Sequence, residues 1–211
     1  MKKINLFLTL IFLTTSMFTA CKSDEPSIYK NTPEKIGVEI NGVVWSPYNV
    51  GVSCKFVSKA EDYGGLYQWN RKDTANFLLG YDYCISDFPT ASSWLLDNDP
   101  SPIGWRVPNG YELSSLLDTT KVSSEWTTEN SIAGRRFTDK ITRKSIFLPA
   151  AGCREYVDGV LSFAGESGGY WISSRSEVFT TSAHILQFSN SFSVWGVGFC
   201  AYGFSVRPVA E

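Results

Sequence analysis

The chain has 211 residues, of which 43% are hydrophobic, 15% aromatic and 19% charged, with a formal net charge of −2. That length suffices for one folded domain with a buried core, and the aromatic-rich, charge-poor composition excludes a disordered chain or a coiled coil. Nineteen basic residues against 21 acidic ones leave no basic field to neutralise phosphates, so nucleic acid is excluded as a partner.

In chain order, Met1-Lys2-Lys3 forms a short positive segment and Ile4 to Leu13 is an apolar run too short to span a bilayer as a mature helix. Phe18-Thr19-Ala20-Cys21 resembles a bacterial lipobox, which makes residues 1–20 a lipoprotein signal peptide and Cys21 the lipidated first residue. The alternative is an ordinary signal cut nearby that leaves Cys21 a thiol. Cleavage removes Lys2 and Lys3, leaving 17 basic against 21 acidic residues. Lys22-Ser23-Asp24-Glu25 is similar to the Ser/acidic tail of surface-exposed lipoproteins of Bacteroidota. The expected location is therefore the outer membrane, anchored to its lipid through Cys21 and exposed at the cell surface. Residues 21–35 are polar and contain prolines, which reads as a flexible tether.

The folded part is expected over residues 36–211. Val38, Ile40 and Val43-Val44-Trp45 flank Asn41-Gly42, a strong hairpin signal. Glu61 to Gly65 is a turn leading into aromatic-rich Leu66 to Trp69, and residues 85–104, with three prolines, read as a long loop. Asn109 with Glu112 three residues on forms a capping box, and Leu113, Leu116 and Leu117 share one helical face, so a short helix is predicted from Asn109 to about Thr119. From Ile132 onward the pattern is strands and turns: Ser145 to Pro149, a hairpin around Asp158-Gly159 over Val157 to Phe163, then Tyr170 to Ile172, Ala183 to Phe188, Phe192 to Val197 and Phe204 to Val206. The class is α+β, mostly antiparallel strands and long loops with one or two short helices. Cys54, Cys84, Cys153 and Cys200 face an oxidising compartment and allow three disulfide pairings, with free buried thiols as the alternative.

Catalytic constellations are sparse. His184 is the only histidine, which excludes three-His metal sites. Gly165-Glu166-Ser167-Gly168-Gly169 satisfies G-x-S-x-G, so a hydrolase using Ser167 is a remote alternative. The flanking pattern is a glycine-rich turn before a strand, not the strand-to-helix elbow that the chemistry needs. Asp97-Asn98-Asp99-Pro100 offers loop oxygens to Ca2+, without the Gly and terminal Glu of an EF-hand, so no cofactor is expected beyond that possible calcium loop.

A series of phrases then carries a resemblance: Val43-Val44-Trp45, Tyr63 to Trp69, Gly104-Trp105-Arg106-Val107-Pro108, Gly134-Arg135-Arg136-Phe137, Phe147 to Gly152, Tyr170 to Ser174, and Tyr202 to Val209. In this order they are similar to the Fibrobacter succinogenes major paralogous domain found among Bacteroidota lipoproteins. The resemblance implies a C-type-lectin-like fold. Ser101 and Pro208 stand where many relatives carry cysteines, so a bridge between those positions is not expected here. Trp69, Trp105 and Trp171 read as core and turn anchors rather than binding platforms, and Arg106, Arg135 and Arg207 as donors to loop carbonyls, with three solvated arginines as the alternative.

The charge-free stretch Ser193 to Tyr202 has two readings. The first is a buried strand and turn closing the fold. The second is an exposed aromatic patch for a ligand, since the matching region faces ligand in the lectin-like retroelement proteins that the chain resembles. Its members would be Arg175, His184, Trp195, Phe199 and Tyr202. The expected function is thus a non-enzymatic surface lipoprotein binding a glycan, a host protein or an envelope component. The alternative is a structural or tip subunit of a surface assembly such as a pilus.

Overall fold

A computed structural model describes residues 37–74 and 91–211 of the chain. The expected leader over 1–20, Cys21, the expected tether over 21–35 and Cys84 lie outside the described residues, as does the first part of the 85–104 segment expected as a loop.

The first hairpin follows from its turn. Asn41 and Gly42 both take positive φ, 47° and 79°, the geometry that a two-residue turn between twisted strands requires. Strand β1 (Val38–Ile40) thereby pairs antiparallel with β2 (Val43–Trp45), turning Ile40, Val43 and Trp45 inward. The Asn41 N–H donates to Asp139 Oδ2 at 2.9 Å and its amide nitrogen to the Ser115 carbonyl at 2.9 Å, so the turn is pinned at both ends.

Helix α1 (Gly110–Leu117) is set by the capping box. Asn109 Oδ1 accepts from the Glu112 N–H at 3.1 Å, and Glu112 Oε2 accepts from the Asn109 N–H at 2.8 Å. The carboxylate also receives a two-pronged bond from Arg106 (2.9 and 2.6 Å). Arg106 was expected to serve loop carbonyls. Its main partner is instead Glu112, because the cap places a carboxylate beside the guanidinium, and only a long 3.4 Å bond reaches the Val107 carbonyl.

After α1 in the sequence comes a three-stranded sheet of β4 (Val122–Glu129), β5 (Ile132–Asp139) and β6 (Ser145–Pro149), all antiparallel. Strand β3 (Trp105–Arg106) precedes the helix and joins the first sheet, whose order is β1-β2-β12-β3 with β12 at Val209–Ala210. A second three-stranded sheet runs β11-β10-β9, from β9 (Ser167–Arg175), β10 (Ser182–Ser189) and β11 (Ser193–Phe199). The hairpin expected over 157–163 closes further out: β7 (Cys153–Arg154) pairs with β8 (Leu161–Ser162), because Glu155 donates its N–H to the Val160 carbonyl across a wide turn. The 204–206 segment is no regular strand; it threads between neighbours, bridging Tyr67 at Phe204 and Tyr170 at Ser205. Among the described residues the architecture is mostly antiparallel β with a single α-helix.

The β9–β10 ladder divides two apolar cores. Tyr170, Ile172, Leu186 and Phe188 face Leu113 and Leu116 of α1 together with Phe137 and Leu148. Trp171, Ala183 and Ile185, alternating with them along the strands, face Trp69, Trp94, Val107 and Val206. Trp69, Trp105 and Trp171 are buried, in line with the core-anchor reading. Arg207 is 1% exposed and donates to Asn49 Oδ1 (2.8 Å), the Ser46 carbonyl (3.2 Å) and the Phe147 carbonyl (2.8 Å), as a donor to loop carbonyls. Arg135 departs from that pattern: it is buried beside Trp126 and Leu148 across the ladder, and its Nε has no hydrogen-bond partner.

Candidate functional site

A cleft of about 460 Å³ lies on the Trp171 side of the β9–β10–β11 sheet. Glycine makes its floor. A Cβ on Gly169 would meet the Phe204 ring at 2.3 Å and one on Gly198 would meet it at 2.6 Å, so these two positions let the ring lie flat on the sheet. The neighbouring Gly168 does the same on the other face, where a Cβ would strike Phe188 at 2.2 Å. The paired glycines of Gly165 to Gly169 thus seat one aromatic ring on each face of the strand. That is their physical role, and no strand-to-helix elbow is present: Ser167 opens β9.

An aromatic wall rises from this floor. Phe204 stacks on Tyr202 (5.8 Å between centroids, 25° between planes), and Tyr202 stacks on Phe199 (6.0 Å, 12°). Tyr156 braces the wall, meeting Tyr202 edge-on at 5.3 Å and Phe199 at 6.2 Å. Beneath, the buried Trp171 ring abuts Phe204 at 4.9 Å and 80°. Phe163 and Phe179 stand at the rim, 58% and 56% exposed. Such rings in the open are what a binding cleft offers and what an interior never leaves uncovered.

Polar groups around the cleft are few: Glu155, Gln187, Ser167 and Ser182. The Tyr202 phenol has its pKa pushed up to about 12, first by burial and then by the neighbouring Glu155 carboxylate. Cys153 lies 3.9 Å from Glu155 Oε1, and its thiol is pushed up to about 11 by burial and the same carboxylate. Cys54 and Cys153 are free thiols, the first exposed and the second buried, and Cys200 is buried.

The five residues expected to form one patch divide. Phe199 and Tyr202 are in the cleft wall. Trp195 pairs with Leu186 across the ladder and so faces the helix side, where a Cβ on Gly110 would touch its ring at 2.5 Å. Its indole N–H donates to His184 Nδ1 at 2.8 Å. Arg175 closes the β9–β10 turn by donating from Nε to the Thr180 carbonyl at 3.0 Å. His184 pairs with Val197 and Ser167 with Ser189, which puts them roughly 16 Å apart along β10 at ~3.3 Å per residue, far beyond a nucleophile–base hydrogen bond.

The buried-strand reading of Ser193 to Tyr202 is corrected for its first part: Val194, Trp195, Val197 and Phe199 of β11 are between 39% and 47% exposed, and among the described residues β11 pairs only with β10, at the sheet edge. The reading holds for Cys200 and Ala201, which are buried. In the Asp97–Pro100 loop, both Asp99 oxygens already accept backbone N–H bonds, from Ser101 (2.8 Å) and Val107 (2.9 Å). Among the described residues no cluster of three or more His, Cys, Asp or Glu is arranged to hold a metal ion.

Glu155, Tyr156, Phe163 and Phe204 were not anticipated as site residues. A signal existed for the first two, since an acid and an aromatic follow Cys153 just ahead of the Asp158-Gly159 turn. Comparison with family models, curated proteins and solved structures finds no match to this chain.

Proposed function

We propose that this chain is a non-enzymatic ligand-binding protein of the outer-membrane surface, anchored through lipid at Cys21. In this reading its domain over residues 36–211 is a C-type-lectin-like fold of the Fibrobacter succinogenes major paralogous type. Fold likeness by itself names no activity, so the binding claim rests on the site. The observation that carries it is the 460 Å³ cleft, walled by Phe199, Tyr202 and Phe204 on a floor of glycine. Its volume lies in the range that holds small ligands, and its exposed rings gain energy only when something covers them.

The test is to screen the purified chain on glycan and envelope-component arrays, then repeat with Phe199→Ala, Tyr202→Ala and Trp195→Ala. Retained ligands are expected to be lost with the first two and kept with the third. Equal retention by all three variants would refute the cleft as the site.

A second reading, a subunit of a surface assembly, is favoured by β11. That edge strand carries no charge and no proline, the features that normally block pairing with another chain. Recovery of the protein in a stable high-mass complex would support it.

A further inference from the structure

The charge inventory of the cleft is lopsided. Among the described residues, Glu155 is the only charged side chain lining it, and no lysine, arginine or histidine does. The ion pairs among the described residues lie elsewhere, at Arg106–Glu112 and at Arg136 with Glu125 and Glu129. Among the described residues Glu155 has neutral neighbours, the Cys153 thiol at 3.9 Å and the Tyr202 phenol lining the same cleft. A carboxylate has about four acceptor positions, so lone pairs remain open toward the cleft. A partly buried anion with only neutral partners is the electrostatic complement of a cation.

The rings reinforce that sign. Phe199 and Tyr202 lie nearly parallel, 12° apart, beside Glu155, and an aromatic face carries negative quadrupole density that attracts ammonium groups. An anion would meet Glu155 and the ring faces with no compensating donor charge. Among the described residues a fully hydroxylated ring would find few side-chain partners besides Glu155, namely Gln187, Ser167, Ser182 and the Tyr202 phenol, against a mostly apolar lining.

We infer that the cleft takes a small organic cation: an apolar or aromatic body lying against the Phe199–Tyr202 wall, with its ammonium group directed at Glu155. This rests on the cleft being a ligand site, and it narrows the ligand from any surface component to an amine-bearing one. The cavity volume accommodates such a molecule.

The experiment is a titration of the full chain in non-ionic detergent, by calorimetry, with three matched probes: 2-phenylethylammonium, 2-phenylethanol and phenylacetate. The cation is expected to bind about tenfold more tightly than the alcohol, with the carboxylate weakest. Glu155→Gln should bring cation and alcohol together while its melting temperature stays at the wild-type value. Equal affinity for cation and alcohol in the wild type, or an undiminished preference in Glu155→Gln, would overturn the inference. If all three probes fail while array ligands still depend on Phe199 and Tyr202, the cation inference falls and the cleft remains a binding site. If the probes and the array ligands both fail, the proposed function falls with it.

Discussion

Arg207 supplies a quantitative test of how the domain is held together. Burial pulls its guanidinium down to about 10, which at ~1.4 kcal/mol for each tenfold change in proton affinity is a desolvation cost of about 3 kcal/mol. Its three donors satisfy Asn49 Oδ1 and the carbonyls of Ser46 and Phe147. Asn49 in turn donates to the Tyr63 carbonyl at 2.9 Å and to the Tyr170 hydroxyl at 3.2 Å, and Tyr170 donates to the Pro149 carbonyl at 2.8 Å. Replacing Arg207 by Met orphans three buried acceptors at ~2 kcal/mol each, about 6 kcal/mol, and returns the desolvation cost. The expected net loss is about 3 kcal/mol, or roughly 6–12 °C in melting temperature for a domain of this size. Arg207→Lys keeps the buried charge but reaches one acceptor with a single ammonium, so it should destabilise at least as much. Urea unfolding followed by tryptophan fluorescence, with a thermal melt by circular dichroism, measures both. A lysine variant within about 1 kcal/mol of wild type would show that the fork geometry does not matter, and the reasoning would fail.

Asp139 is held down to about 2, chiefly by the backbone N–H of Thr142 and then that of Asn41. A carboxyl whose folded pKa lies below its unfolded value of about 4 stabilises fully above that value and loses its contribution as pH falls from about 4 toward 2. Urea midpoints measured across that window should decline in the wild type, and Asp139→Asn should flatten the decline. At pH 8 iodoacetamide should label exposed Cys54 within minutes and leave Cys153 largely unmodified, since the latter is buried and its thiol is pushed up to about 11. Peptide mass spectrometry reads both sites, and equal labelling would contradict the burial of Cys153.

What could be read from the sequence is what local chemistry decides. Asn41-Gly42 fixes a turn by its own backbone preference, and Asn109 with Glu112 caps a helix within four residues, so both stood in plain view. Strand β4 did not. Val-Ser-Ser-Glu-Trp-Thr-Thr-Glu shows only Val122 buried, and with most of its side chains in or near solvent there is no alternation to detect. Its turn, Asn130-Ser131, adopts positive φ at both residues without a glycine to announce it. The site was half legible for a related reason. Phe199 and Tyr202 lie close in sequence, so their clustering was visible. The Gly169–Phe204 and Glu155–Tyr202 contacts depend on segments brought together only by the fold. Trp195 lies across the ladder from Leu186, and composition cannot say which face of an edge strand a ring occupies.

Strand β12 lies between β2 and β3, and the Arg207 bond to Asn49 spans 158 positions of sequence. The opening hairpin therefore keeps a vacant edge until almost the whole domain has been synthesised. Contacts of such span make closure slow, because the loop entropy is lost before the buried fork and strand pairing compensate it. Polypeptide emerging residue by residue stays threadable through most of its length and locks in a late, concerted step. Any chain broken off before residue 207 would carry an open sheet and orphaned carbonyls at Ser46 and Phe147, a form suited to proteolysis and self-association and unable to persist as a partial fold.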